Sequence, residues 1–382
     1  MTHRFDPSAL REYDIRGIVG KTLGESDAYA IGRGFGTRVR RNGGTRVAVG
    51  YDGRVSSPAL AAELVRGLTE TGIDVVRVGL GPTPMLYFAE ATLEVDGAVQ
   101  VTGSHNPADY NGFKMVLAHA PFFGSDIQDL ARLAEAADWE EGAGSVSDFA
   151  IFDTYVARLV DGYDAGPFRI GWDAGNGAAG EVIAKLASLL PGEHMTLYTE
   201  IDGRFPNHHP DPTEEKNLAD LKKLVLDNGL DFGLAFDGDG DRIGAVDGQG
   251  RVVWGDQLLS ILAVPVLAAL PGATIIADVK ASQMLYDRVA ELGGKPCMWK
   301  TGHSLIKTKM KETGAPLAGE MSGHIFFAKD YYDFYGFDDA QFAAIQLIRA
   351  IAAQGGSLTA LKDAMPAFVN TPEMRFQVDE CR

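Results

Sequence analysis

RVAVGYDGRVSSPALAAELVRGLTETGIDVVRVG, residues 46–79, is the stretch that decides the fold. It opens on an apolar strand ending at Asp52, turns through small polar residues and continues as SSPALAAELVRGLTETG with apolar side chains at helical spacing. It closes on a second apolar strand, DVVRVG (74–79). Strand, helix and strand in this compass make one βαβ unit. The pattern recurs twice. RIGWDAGNG (169–177) leads through AAGEVIAKLASLL to HMTLYTE (194–200), and TIIADVK (274–280) leads through a helix around QMLYDRVAELGG to KPCMWKTG (295–302). Asp52 and Asp173 lie 121 residues apart and Asp173 and Asp278 lie 105 apart, so each unit has the size of a small domain. The expected class is α/β: three consecutive related domains with mixed, largely parallel sheets and helices on both faces, followed by the start of a fourth.

The gaps between units set the expected boundaries. EEGAGSVSD (140–148) reads as a linker and VDGQGRVV (246–253) as a turn between strands near a second junction, giving domains at 1–145, 146–250 and 251–367. In PEMRFQV (372–378), Met374, Phe376 and Val378 alternate with Arg375 and Gln377, a strand pattern with no partner after it. Residues 368–382 are therefore expected to be the remnant of a fourth domain, the competing reading being an edge strand on an earlier sheet.

Composition bounds the function. The chain has 382 residues, 46% hydrophobic and 23% charged, as expected for several soluble cores. A formal charge of −17 repels nucleic acid and anionic membrane, so an anionic substrate needs a local basic cluster. Two distant thiols, Cys297 and Cys381, make neither a disulfide framework nor a metal cage and suit a reducing cytoplasm. The longest apolar run, LLSILAVPVLAAL (258–270), is too short to span a bilayer.

Each unit carries a polar motif downstream: SHNP (104–107), DGDGDR (237–242) and GEMSGH (319–324). If the units are duplicates, the three loops face one cleft. DGDGDR lies between the apolar strands FGLAF and RIGAVD. Asp237, Asp239 and Asp241 can converge from a Gly-linked turn on one hard cation, with Mg²⁺ the natural candidate for a phosphate site, against the plainer reading of a solvated acidic turn. An EF-hand does not fit, since Arg242 stands where glycine is required and Gly248 where the bidentate Glu belongs.

Ser104 follows the strand GAVQV, either as a nucleophile or as a turn residue bonding its own backbone. His105 is adjacent, and neighbouring side chains on extended backbone diverge, so a Ser-His pair requires a special turn. Glu320, Ser322 and His324 on a glycine-hinged loop suit vicinal hydroxyls, while Lys280 and His303 add positive character at the strand ends. His208 and His209, in FPNHHPDP (205–212), read as turn residues rather than metal ligands.

In combination, REYDIRG (11–17), TGSHNPADYNGFK (102–114), DGDGDR, DVKAS (278–282), KTGHS (300–304) and GEMSGH resemble the α-D-phosphohexomutase family, in particular its bacterial members acting on mannose and glucose phosphates. The resemblance implies that phosphate moves between the 1- and 6-positions of a hexose through a bound hexose 1,6-bisphosphate. It implies a phosphoserine at Ser104, with Mg²⁺ held by Asp237, Asp239, Asp241 and the seryl phosphate, and Arg242 beside it. Glu320 and Ser322 would grip sugar hydroxyls, Tyr13 would bind substrate, and Arg16, Lys114, Lys280, His303 and His324 would contact substrate phosphate or serve in proton transfer. Met321 favours glucose and mannose over glucosamine phosphates.

The family's RxSGTEP loop for the distal phosphate is absent from the 382 residues, so raised KM or lost turnover is expected of this chain alone. The competing readings are a phosphatase-like nucleophile at Asp237, a phosphoglucosamine mutase and a silent sugar-phosphate binding fragment. The expected partners are small-molecule hexose phosphates, with no nucleic acid and no membrane, in a monomer or a dimer.

Overall fold

The computed structural model describes residues 2–366. The expected strand at 372–378, the fourth-domain remnant and Cys381 lie outside them. The first sheet comprises β1 (Ile15–Ile18), β2 (Arg46–Tyr51), β3 (Asp74–Leu80), β4 (Gly97–Val101), β5 (Tyr110–Leu117), β6 (Ala120–Pro121) and β7 (Val146–Asp148). Around it lie α1 (Glu25–Arg41), α2 (Ser57–Thr69), α3 (Thr83–Thr92) and α4 (Ser125–Ala136). The second unit has α5 (Phe152–Val160), β8 (Phe168–Asp173), α6 (Gly180–Leu189), β9 (Gly192–Leu197), α7 (Ala219–Asn228), β10 (Phe232–Phe236), β11 (Ile243–Asp247) and β12 (Val252–Val253). The third has α8 (Gly255–Ala269), β13 (Thr274–Asp278), α9 (Gln283–Glu291), β14 (Lys295–Trp299), α10 (His303–Thr313), β15 (Leu317–Gly319), β16 (Ile325–Phe327), α11 (Lys329–Tyr332), α12 (Ala340–Ala353) and α13 (Leu358–Asp363).

The three sheets share one plan. A central strand (β2, β8 or β13) pairs in parallel with two neighbours, and one of these continues into an antiparallel partner. Those antiparallel pairs are β4–β5, β10–β11 and β15–β16, and their connecting loops carry SHNP, DGDGDR and GEMSGH. The motif loops thus occupy one topological position in each unit, as expected of duplicates. The parallel strands read as nearly continuous apolar runs because both faces are covered: β4 and β10 are buried at every residue.

One stretch reads differently in the structure. EEGAGSVSD, expected as a linker, contains β7, which pairs in parallel with β3 at the edge of the first sheet. Its composition suggests coil, but the glycines serve close approach: a Cβ on Gly144 would lie 1.9 Å from the Ile73 carbonyl oxygen.

The units share an apolar core as well as a plan. One cluster of buried side chains runs from Phe88 on α3 through Tyr155 on α5 to Phe342 on α12, so the inter-unit contacts resemble a domain interior. Trp172, fully buried, stacks on Phe236 at 6.2 Å between centroids, and these two rings immediately precede Asp173 and Asp237. The core thereby fixes the strand ends on which the polar loops stand.

Candidate functional site

The aspartate that ends each central strand, or directly follows it, is the anchor of the loops around it. Asp52 accepts from the Ser57 hydroxyl at 2.5 Å, the Thr102 hydroxyl at 2.8 Å and the Gly103 amide at 3.1 Å. Asp278 accepts from the Thr301 hydroxyl at 2.9 Å and the Met321 amide at 3.2 Å, tying KTGHS to GEMSGH. Asp173 accepts from the Gly175 amide at 2.9 Å and faces His208 Nε2 at 3.0 Å. The other His208 nitrogen, Nδ1, faces the His209 carbonyl at 3.0 Å, so both ring nitrogens meet acceptors and the imidazolium is the satisfied form. Burial works against that charge, but Asp173 outweighs it and raises the His208 pKa above its ordinary value. FPNHHPDP is therefore a loop pinned by an ion pair.

Ser104 has φ +49, a left-handed conformation uncommon for a serine. Its amide donates to Thr102 Oγ1 at 2.9 Å, and its own Oγ lies 3.2 Å from both Asp237 Oδ2 and His105 Nδ1. The divergence expected of neighbouring side chains does not occur, because that expectation assumes extended backbone and the turn at Ser104 removes it. Contact with Asp237 joins the first unit to the second. It depends on Gly238, where a Cβ would sit 2.4 Å from the Ser104 carbonyl oxygen.

Asp237, Asp239 and Asp241 are all fully buried, and one oxygen from each lies within 4.8 Å of the others. A solvated acidic turn is excluded by that burial. The Lys114 ammonium, carried inward on β5, donates to Asp239 at 2.7 Å and also to Asp241. Burial pushes the Asp237 carboxyl well above the ordinary range, and the neighbouring Asp239 and Asp241 charges add to the shift. At Asp239 burial is overcome by Lys114 and by the Thr83 hydroxyl, and the pKa is lowered.

When ionised, the three carboxyls exceed the two cations beside them, Lys114 and Arg242, by one charge, and the raised pKa of Asp237 goes with that excess. Asp239 Oδ1 and Asp241 Oδ1 are buried with no hydrogen-bond partner among the described residues. A divalent ion fits both features. Two residues from the other units brace this loop. Thr83, at the start of α3, donates its amide to the Asp239 carbonyl at 2.8 Å, and Gln341, on α12, donates to the Gly240 carbonyl at 2.8 Å.

These loops open on a cavity of about 220 Å³ lined by the expected residues Tyr13, Arg16, Ser104, Lys114, Arg242, His303 and His324, joined by Arg11, Asp14, His105 and Asn106. Four cations and three histidines face two acceptors, Asp14 and Asn106, so the cavity is basic on a chain of charge −17. Arg16 is buried, ion-paired to Asp14, and donates to Asn106 Oδ1 at 2.8 Å. Tyr13 donates to the Thr301 carbonyl at 3.0 Å, linking the first unit to KTGHS.

His324 Nε2 accepts from Arg242 Nε at 3.0 Å, so its proton belongs on Nδ1, 2.8 Å from Asp338 Oδ2. Lys307 holds the other Asp338 oxygen at 2.9 Å. His303 stacks on His324 at 5.7 Å, and burial, with the charge of Lys307, keeps it neutral.

Three expected residues stand apart from the cavity lining. Glu320 is buried, accepts from the Gly302 amide, and has its pKa raised by burial. Ser322 is half-buried and Lys280 is exposed. Sequence reading missed Arg54, Thr83, Lys307, Asp338 and Gln341. For Asp338 a signal was present, the paired aspartates of FDD behind an aromatic run. A larger cleft of about 430 Å³ lies between α5 and α12, but its arginines are already engaged. Arg158 donates to the Tyr332 and Asp333 carbonyls and Arg349 pairs with Asp164, and none of the expected residues lines it.

Comparison with known proteins agrees across the chain. Residues 8–141, 153–250 and 254–368 match the phosphoglucomutase/phosphomannomutase alpha/beta/alpha domains I, II and III. A phosphomannomutase/phosphoglucomutase of Pseudomonas aeruginosa is 45% identical over 374 residues, covering 98% of this chain and 80% of the relative. A phosphoglucomutase of Neisseria gonorrhoeae is 43% identical over 377 residues, 97% of this chain and 80% of the relative. A crystal structure of a phosphoglucomutase/phosphomannomutase family protein from Burkholderia thailandensis superposes with a TM-score of 0.92 at 46% identity, covering 96% of this chain and 81% of that one.

Proposed function

The chain belongs to the phosphoglucomutase/phosphomannomutase family, and on that premise we propose that it moves phosphate between the 1- and 6-positions of glucose and mannose phosphates by way of a phosphoserine at Ser104. The observation that carries this reading is the contact of Ser104 Oγ with Asp237, at the junction of a cation-deficient carboxylate loop and a basic cavity. Asp237 is a poor nucleophile here. One of its oxygens accepts the Asp241 and Arg242 amides and the other faces Ser104.

In the proposed reaction the phosphoryl group leaves Ser104 Oγ for a free sugar hydroxyl, giving a hexose 1,6-bisphosphate. After the sugar turns over, the other phosphate returns to Ser104. Two bonds are exchanged and no water enters. Such transfers need positioning and charge more than covalent chemistry. Mg²⁺, held by Asp237, Asp239, Asp241 and the seryl phosphate, would supply neutralisation of the transferring group.

Arg16, Arg242 and Arg11 supply donors for the substrate's phosphate. His324 steers the Arg242 guanidinium on the cavity wall, accepting from its Nε at Nε2 while its Nδ1 lies beside Asp338. Lys114 holds the carboxylate loop closed against the first unit. Glu320 and Ser322 are assigned to sugar hydroxyls, Lys280 to substrate phosphate, and Tyr13, on the cavity wall, to substrate contact.

Phosphopeptide mapping of the purified protein tests the reading, with phosphate expected on Ser104. Ser104→Ala is expected to abolish phosphorylation and to lower turnover of glucose 1-phosphate by at least about 10³-fold, the scale of losing a nucleophile. Phosphate on Asp237 instead, or an active S104A protein, would overturn it.

A further inference from the structure

The Ser104 loop is held from beneath by one residue that takes no part in the cavity. Arg54, in the turn after β2, is fully buried. Its Nε faces Asp52 Oδ2 at 3.2 Å. Its Nη1 donates to the carbonyls of Pro107 (2.5 Å) and Tyr110 (2.9 Å), and its Nη2 to those of Ser104 (2.7 Å) and Asn106 (2.6 Å). A guanidinium has five N–H donors, and all five are used, four of them on carbonyls of the loop 104–110.

We propose that Arg54 is a positioning residue for phosphoryl transfer: it templates the left-handed turn at Ser104, with Asp52 and Thr102 completing the support, and so sets where the serine oxygen meets the carboxylate loop. The proposal rests on the reading of Ser104 as phosphoryl carrier.

Three features show that the guanidinium is captive in its place. Gly103 leaves the space it needs, since a Cβ there would lie 2.4 Å from Arg54 Cζ. Phe205, from the second unit, covers it at 5.2 Å from the ring centroid. Gly203 packs against the Arg54 backbone, where a Cβ would come within 2.3 Å of its Cα.

Thr102 closes the circuit, because its hydroxyl donates to Asp52 while accepting the Ser104 amide. A serine at positive φ persists only where its surroundings over-determine it, and here four carbonyls, one amide and one carboxylate do so. The same loop presents Asn106 to Arg16, so its geometry also reaches the cavity's phosphate donors. Lysine cannot replace this arrangement, since three donors radiating from one point do not span four carbonyls.

The test compares full-length wild type, R54K and T102V in two measurements: phosphorylation of Ser104 by glucose 1,6-bisphosphate, followed by mass spectrometry, and steady-state conversion of glucose 1-phosphate. A misplacement of about 1 Å costs roughly 100-fold in rate, so R54K is expected to keep its circular dichroism and a KM within about threefold of wild type while kcat falls about 100-fold and Ser104 phosphorylation slows in parallel. T102V is expected to move the same way by a smaller factor. A purely structural role would lower the melting temperature and leave kcat of the folded enzyme unchanged. That result in R54K overturns the proposal, and if R54K does not fold, wild-type kcat in T102V overturns it. Wild type that turns over without phosphate on Ser104 refutes the underlying reading instead.

Discussion

Replacing Lys114 with methionine tests whether the acidic loop is short of positive charge. The side chain keeps its reach along β5 but loses the ammonium that bonds Asp239 and Asp241. All three carboxylates are fully buried, and removing one partner of a buried ion pair typically costs about 3–5 kcal/mol because the charge left behind is uncompensated. The expected loss in urea denaturation, with EDTA at pH 8, is therefore about 3–5 kcal/mol. A divalent ion should recover much of it. Binding at a hundredfold excess over Kd stabilises by about 2.7 kcal/mol in any one-site protein, and in K114M no ammonium on the same two carboxylates repels the ion. The Mg²⁺-dependent gain should therefore be larger in K114M than in wild type. Stability of K114M within about 1 kcal/mol of wild type in EDTA, or an equal response to Mg²⁺ in both, would refute the reasoning.

Two further outcomes follow from residues outside the cavity. The His208–Asp173 pair stabilises the fold while His208 is protonated. Because its folded pKa is raised above the unfolded value, this contribution is complete below the ordinary histidine pKa and is lost as pH rises through the folded one. Urea midpoints of wild type are expected to fall across that window, and those of His208→Gln to stay flat, with a difference at pH 6 of about 1.5–3 kcal/mol, the worth of a hydrogen bond to a charged group. Gln341→Leu removes the donor to the Gly240 carbonyl and one of two acceptors of the Tyr155 hydroxyl, the other being Asp339. Titration calorimetry should show Mg²⁺ affinity reduced by about 10-fold or more, the usual effect of losing support behind metal ligands.

The α/β class and the threefold plan were legible because they rest on local pattern: an apolar strand closed by Asp52, Asp173 or Asp278, then an amphipathic helix. Asp237, Asp239 and Asp241 were legible for a related reason, since three carboxylates in six residues between apolar strands have few structural uses. What the sequence hid were contacts between segments far apart in the chain. Arg54 lies two residues from Asp52, yet its acceptors are carbonyls 50 or more residues away, and carbonyls leave no trace in a sequence. Thr83 and Gln341 reach the DGDGDR loop across separations of 156 and 101 residues. The linker-like 140–148 failed for a different reason. Glycine is ambiguous between freedom and close approach, and only the neighbour at Ile73 decides which applies.

The repeat also explains why the chemistry needs all three units together. Each supplies one hairpin loop at the same topological position, yet no loop is complete by itself. Ser104 lacks a charge partner without Asp237, and Asp239 lacks its donors without Thr83 and Lys114 of the first unit. His324 sits in the third unit but takes its Nε2 partner, Arg242, from the second. Duplication thus yields three equivalent platforms, and their burial against one another turns equivalence into division of labour, which in the proposed reaction gives a carrier, a cation loop and a sugar-facing loop. The shared apolar core from Phe88 to Phe342 fixes the spacing of the three. A change at that core, remote from every polar loop, is then a change in catalytic geometry as much as in stability.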